Sequence, residues 1–161
     1  MEAERSNADS TKASRGSERP SLERVRVALR EHGVRCTRQR ELVYTSLAAT
    51  KSHPTVEGLL ATVRVADPGI SQATVYNTLD TLVGCGLANR LPARSAGGPC
   101  RYDADTSPHV HLTLPDGRVI DAPAEVSDAI MAALHAADPC SIGTDTGRIA
   151  GVHIDLAESE A

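Results

Sequence analysis

The stretch ISQATVYNTLDTLVGCGLANRLPARSAGGPCRYDAD, residues 70–105, changes its periodicity partway along, and that change decides the fold. Ser71 is an N-cap. Val75, Leu79, Leu82 and Val83 then make an apolar stripe at helical spacing that runs out at Gly84 and Gly86. Gln72, Thr74, Tyr76 and Asn77 lie off that stripe. From Leu87 the period moves toward two, and LANRL and CRYDAD flank a Gly-, Pro- and Ser-containing turn at residues 92–99. A helix followed by a hairpin is expected.

Three more helices precede it. Ser21 caps a helix carrying Val25 and Leu29 that stops near Gly33, and Thr37 caps a second with Leu42, Val43 and Leu47 on one face. Arg38 and Arg40 make the first turn of that second helix basic. His53-Pro54-Thr55 interrupts the chain, because the residue before proline avoids the helical region, and Thr55 caps a third helix. Its Val56, Leu59, Leu60 and Val63 fall at i, i+3, i+4 and i+7. Short helices followed by a hairpin are the pattern of a winged helix-turn-helix, whose last helix enters the major groove; a small helical domain with a polar surface would read similarly. Residues 1–19, without apolar periodicity, read as a disordered tail.

Beyond the first hairpin lies YDADTSPHVHLTLPDGRVID, residues 102–121. HVHLTL alternates as a strand, so His109, His111 and Thr113 share one face and Val110, Leu112 and Leu114 the other, with the two histidines about 7 Å apart at Cα. That spacing suits a shared metal ion. Pro115-Asp116-Gly117 is a turn, RVID is the return strand, and Asp121 is expected across from the start of HVH. Asp103 enters the same region six residues before His109. The plainer reading makes these solvated groups on the outer face of a half-exposed sheet. Residues 125–137 read as a helix with Val126, Ile130, Ala133 and Leu134 on one side, and RIAGVHIDL as a final strand. The apolar faces of this small α/β unit are thin, which makes it the dimer-forming part.

Composition supports two small units sharing 161 residues. There is no Phe or Trp and only Tyr44, Tyr76 and Tyr102, so a second copy of the chain would help cover a core of small side chains. Residues 1–101 carry fifteen Lys/Arg against ten Asp/Glu, whereas residues 102–161 carry two against eleven. The basic half suits a nucleic-acid backbone; the acidic half does not. Cys36, Cys85, Cys100 and Cys140 form no C-x-x-C pair, which argues against a disulfide framework or a thiolate zinc knuckle. No apolar leader region and no run of 18 apolar residues occurs, so a cytoplasmic protein without membrane contact is expected.

Residues 70–90 closely resemble the recognition helix of the ferric uptake regulator family of metal-dependent repressors. The resemblance extends, in the family's order, to VRCTRQRELV at 34–43, HPTVEGLL at 53–60, CRYD at 100–103, HVH at 109–111 and GRVID at 117–121. It implies an α+β chain: a winged helix over residues 20–103 that binds a palindromic operator in double-stranded DNA as a homodimer, and a small α/β dimerisation and metal-sensing domain over 104–161. The implied regulatory ligands are His53, Asp103, His109, His111 and Asp121. Three nitrogens and two oxygens suit Fe(II) or Mn(II), with Zn(II) a surrogate. Tyr76 would contact thymine methyls and a base edge, with Ser71, Gln72, Thr74 and Asn77 near bases or phosphates. Arg38, Arg40 and Lys51 would hold phosphates.

Two details resemble the peroxide-responsive members. Asp121 stands where iron-sensing members commonly carry Glu, and Asn77 follows Tyr76 where many members have Arg. In those relatives Fe(II) reacts with peroxide and a ligand histidine is oxidised; by resemblance His53 and His109 are the expected targets. The chain also departs from the family. The positions of its two zinc-binding C-x-x-C pairs hold Thr113-Leu114-Pro115-Asp116 and His153-Ile154-Asp155-Leu156, so a structural zinc is expected to be absent. The dimer would then rest on Val110, Leu112, Ile149, Val152 and Ile154, and His153 and Asp155, on one strand face, would form a substitute site with Asp116 or remain exposed polar groups. Rival readings are a metal-responsive repressor without peroxide chemistry, a metal-independent winged-helix regulator and, remotely, a metallohydrolase. The hydrolase lacks an evident spare carboxylate or activated nucleophile, so no enzyme is expected.

Overall fold

The computed structural model describes residues 20–93, 98–136 and 151–156, so the expected tail at 1–19, the tip of the first turn, Cys140 and Ile149 lie outside the described residues. Four helices come first: α1 (Leu22–Glu31), α2 (Arg38–Ala48), α3 (Val56–Val63) and α4 (Gln72–Gly84). Each starts at the hydroxyl that the sequence offers. The side chains of Ser21, Thr37, Thr55 and Ser71 accept from the backbone N–H of Arg24, Arg40, Gly58 and Thr74 respectively, satisfying donors that a helix start leaves open. α1 ends as expected, with Gly33 in the left-handed region at φ 68°.

The wing follows as β1 (Asn89–Leu91) and β2 (Arg101–Asp103), antiparallel, with Asn89 opposite Asp103 and Arg90 opposite Tyr102. One core joins helices and wing. Val25, Leu29, Val43, Tyr44, Leu47, Leu59, Val75, Leu79 and Leu82 are buried together with Leu87, Ala88 and Tyr102. The apolar stripes read from the sequence are the faces that meet here, and the Tyr44 hydroxyl donates to the carbonyl of Pro20.

The second unit is a three-stranded sheet in the order β4-β3-β5, made of β3 (His109–Thr113), β4 (Val119–Asp121) and β5 (Gly151–Asp155). β4 is antiparallel to β3 and β5 parallel to it, with α5 (Ala124–Ala136) between β4 and β5 in the chain. The hairpin pairs symmetrically about Asp116, so Asp121 sits opposite His111 rather than the start of HVH.

α5 is rotated relative to its apolar pattern. Ser127 and Met131 are its buried residues, whereas Val126 is exposed. A polar contact joins that side of the helix to the sheet: Ser127 Oγ accepts the backbone N–H of Val110 at 3.0 Å, beside Met131 and Ile130. Val110, Ala122 and Met131 form the buried cluster, with Leu112, Ile130, Val152 and Ile154 against it. Four of the residues expected to carry a dimer are therefore used within one chain. The opposite sheet face is covered as well, since His111 and Thr113 are buried, which removes the reading of a half-exposed sheet with a solvated histidine face. No described helix is long and apolar enough to cross a membrane.

Candidate metal centre

His53 comes from the loop between α2 and α3, with its backbone at φ 46°. It avoids the right-handed helical region, as a residue before proline should, by entering the left-handed one, where a non-glycine residue is strained by about 1–3 kcal/mol. Contacts from the rest of the molecule hold it there. Arg101 Nη1 donates to the His53 carbonyl at 3.0 Å, the Tyr102 N–H donates to the Pro54 carbonyl at 3.1 Å, and His53 Nδ1 meets the Val119 carbonyl at 3.1 Å. Arg101 also reaches the Gly117 carbonyl through Nη2 at 3.0 Å. This guanidinium straps the β3–β4 hairpin to the helical half, and sequence reading missed it. Only its place beside Tyr102 and Asp103 hinted at a role.

The other four side chains come from strands. Asp103 ends β2; His109 and His111 project from one face of β3; Asp121 is the β4 partner of His111. Asp103 Oδ2 lies 3.1 Å from His109 Nε2, 3.3 Å from His111 Nε2 and 3.6 Å from His53 Nε2. Asp121 Oδ1 lies 2.9 Å from His53 Nε2, 3.3 Å from His109 Nε2 and 3.9 Å from His111 Nε2. One ligand atom from each of the five residues falls within 4.8 Å of all the others, the only such grouping among the described residues. His53, Asp103 and His111 are buried, and His109 and Asp121 are half-buried.

The imidazoles are oriented from behind. With its proton on Nδ1, His53 donates to the Val119 carbonyl and His109 to the Ser107 carbonyl at 2.8 Å, which leaves both Nε2 atoms as acceptors facing the two carboxylate oxygens. His109 Nε2 and Asp121 Oδ1 are buried atoms without a hydrogen-bond partner in this arrangement. Lone pairs converging on one point call for a cation, either protons or a metal ion. Where protons fill the role, burial works against a charged His53, but hydrogen bonds to Asp103 and Asp121 outweigh it and raise its pKa to about 9. Burial likewise opposes protonation of His109, and the same two carboxylates raise it to about 10. Desolvation would raise both acids, yet hydrogen bonds from the histidines hold Asp103 and Asp121 well below the usual carboxylate range. The donor set, three imidazole nitrogens and two carboxylate oxygens, fits a borderline divalent ion such as Fe(II), Mn(II) or Zn(II).

The expected DNA residues lie on or near the outer surface of the helical half. Tyr76 and Asn77 are exposed on α4, Gln72 donates to Glu57 at 3.2 Å, and Ser71 and Thr74 are joined in the helix cap. Arg38 and Lys51 are exposed, whereas Arg40 is half-buried and hydrogen-bonds the Arg35 carbonyl. Arg90 of the wing reaches both Cys100 and Tyr76.

His153 and Asp155 do share a face, 3.8 Å apart, and His153 also meets the Thr113 hydroxyl. Asp116 does not join them; its carboxylate holds Arg118 Nε at 2.6 Å on the exposed hairpin tip.

Comparison with known proteins agrees with this architecture. The ferric uptake regulator family profile matches residues 31–136. The peroxide-responsive repressor PerR of Staphylococcus saprophyticus is 33% identical over 101 residues, spanning 62% of this chain and 67% of that one. Among solved structures, the Campylobacter jejuni peroxide stress regulator superposes with a TM-score of 0.62 at 23% identity, covering 88% of this chain and 98% of the other. The Pseudomonas aeruginosa ferric uptake regulator, solved with manganese, gives 0.60 at 23% identity over 83% and 97%. These two share its fold. With a winged helix, a small sheet unit and a His/Asp cluster between them, the chain belongs to the ferric uptake regulator family of metal-responsive DNA-binding repressors.

Proposed function

We propose that this chain is a cytoplasmic, homodimeric repressor that senses peroxide through Fe(II) or Mn(II) held by His53, Asp103, His109, His111 and Asp121, with Zn(II) a surrogate. The observation that carries the reading is the convergence of five ligand atoms within 4.8 Å, one from the helical half and the others from the wing and the hairpin. An ion there would fix the DNA-binding half, which supplies His53, against the sheet half, which supplies His109, His111 and Asp121. Similarity to peroxide-responsive repressors, together with Asp121 and the Tyr76-Asn77 pair, supports peroxide as the signal.

The protein's own groups have distinct tasks. Asp103 and Asp121 supply negative charge, His111 is enclosed, and His53 and His109 present Nε2 atoms oriented by backbone carbonyls. Fe(II) held by these residues would activate peroxide beside the imidazoles, and His53 and His109 are the proposed sites of oxidation: one peroxide oxygen is added to the ring and the other leaves as water, a two-electron change overall. Loss of either ligand loosens the tie between the halves and lowers operator affinity. On the DNA side, Tyr76 and Asn77 of α4 read bases, Ser71, Gln72 and Thr74 lie near bases or phosphates, and Arg38, Arg40 and Lys51 hold phosphates.

The domains are taken to divide at residues 103 and 104, and the positions of the family's zinc cysteines support the absence of a structural zinc. Ile120, Val126 and Leu156 are exposed apolar residues available to a second copy.

The test uses duplexes selected from random sequence by the Mn(II)-loaded protein. Anaerobic binding should require Fe(II) or Mn(II), and peroxide should release only the Fe(II) protein, with one added oxygen on a His53 or His109 peptide by mass spectrometry. Metal-dependent binding that ignores peroxide would leave an iron- or other metal-responsive repressor. Binding unchanged by Asp103→Ala and His111→Ala would leave a metal-independent winged-helix regulator.

A further inference from the structure

The segment between Asp103 and His109 joins the wing to the sheet and contains a second acid, Asp105, that is not among the five converging ligands. Asp105 is buried, only 6% exposed. Its Oδ1 accepts two hydrogen bonds from one residue, the backbone N–H of Ser107 at 3.0 Å and the Ser107 hydroxyl at 2.6 Å. The carbonyl of that same Ser107 accepts Nδ1–H of His109 at 2.8 Å. At the other end of the turn, the Asp105 backbone N–H donates to Asp103 Oδ1 at 2.9 Å, which leaves Oδ2 directed at the three imidazoles. The Asp105 carbonyl is tied to the wing, accepting from Asn89 Nδ2 at 3.0 Å.

Two converging ligands are therefore oriented through one residue. A ring whose Nδ1–H is held by a carbonyl has its tautomer and rotation fixed, and Nε2 is presented as a lone pair. Asp105 fixes the turn in which that carbonyl sits, because its Oδ1 holds both the Ser107 N–H and the Ser107 hydroxyl. We propose that Asp105, anchored to the wing by Asn89, is a positioning residue of the metal centre that aims His109 Nε2 and Asp103 Oδ2 at the bound ion. It is not one of the five converging ligands, and its Oδ1 is held by Ser107. The assignment rests on the metal-centre reading above.

Calorimetric titration with Mn(II) tests it, using the full chain and its Asp105→Ala and Asp105→Asn variants. Removing a direct partner of a metal ligand weakens metal binding by about 10–100-fold; the Asp105 carboxylate acts one step further out, through Ser107, so Asp105→Ala should raise the Mn(II) dissociation constant by about 10-fold, the lower end of that range. Asparagine keeps an Oδ1 acceptor for both Ser107 donors, so Asp105→Asn should stay within about threefold of the unaltered protein. A purely electrostatic role would not give this split, because asparagine removes the charge as alanine does. If Asp105→Ala fails to fold, Ser107→Ala takes its place; it removes one of the two donors and should weaken Mn(II) by about 3–10-fold. Unchanged affinity in the alanine variant used, or Asp105→Asn as weak as Asp105→Ala, overturns the Asp105 assignment alone. Absence of Mn(II) binding by the unaltered protein overturns both the assignment and the metal-centre reading.

Discussion

The two halves of the molecule are held together by different means. Among the described residues, the core of the helical half holds sixteen, drawn from all four helices, the wing and the segments that flank them. The described part of the sheet half has three, Val110, Ala122 and Met131, on one side, and imidazoles and carboxylates on the other. A half with an apolar core keeps its shape alone. One whose second face is a charged cluster takes its rigidity from whatever neutralises that cluster, and this puts the proposed metal centre at the joint.

The largest expected effect tests the contrast in cores. Leu79 is fully buried among the helices, and truncating such a leucine costs about 2–5 kcal/mol, so Leu79→Ala should fall toward the upper end. Met131 is 7% exposed over a thin cluster that can partly collapse, so Met131→Ala should cost about 2 kcal/mol by the same measure. Denaturant unfolding of metal-free protein compares them. Equal losses would mean that the sheet half is packed as well as the helical half.

A second effect separates protons from metal as the neutralising cation. In the metal-free protein the raised His53 and His109 favour folding fully below their unfolded pKa near 6.5, and this stability is lost as pH rises through about 9 to 10. The depressed Asp103 and Asp121 favour folding above their unfolded pKa near 3.9, and that part is lost as pH falls below it. The cluster should therefore stabilise metal-free protein most between about pH 4 and 6.5. Metal affinity runs the other way, because both imidazolium protons must leave. Mn(II) affinity should rise up to about 100-fold per pH unit between pH 6 and 8, with up to about two protons released. Titration calorimetry in buffers of different ionisation enthalpy measures both, and a pH-independent affinity would show that the histidines are neutral before the metal arrives.

How legible this was in the sequence depends on the range of the forces involved. Ser21, Thr37, Thr55 and Ser71 cap as read, because capping is settled within three residues. The stripes of α1 to α4 give the core. His109 and His111 were readable from alternation alone, whereas His53 entered only through family resemblance, since nothing local shows that the chain folds it against β4. The strap from Arg101, the left-handed backbone of His53 and the Asp105 turn are tertiary arrangements that leave no periodic trace. α5 is half legible for the same reason: Ile130 of its apolar stripe packs on the sheet cluster, whereas Val126 turns outward and the buried place beside Met131 goes to Ser127.

The smallest expected effect turns on that serine. In Ser127→Ala the Val110 N–H, in the middle of the sheet, loses the oxygen that accepts it, and a buried donor left unpaired costs about 1–3 kcal/mol. The net loss should be near the lower end of that range. Freed from Ser127, α5 can turn so that the exposed Val126 gains cover, and this offsets part of the cost. Amide exchange at Val110 distinguishes the contributions, because the bond is local and the repacking is not. Loss of protection at Val110 alone, with little change in global stability, would show that the helix had turned and that the hydrogen bond had set its rotation. Unchanged protection would mean that the N–H finds another acceptor, and the rotation of α5 would then need a different cause.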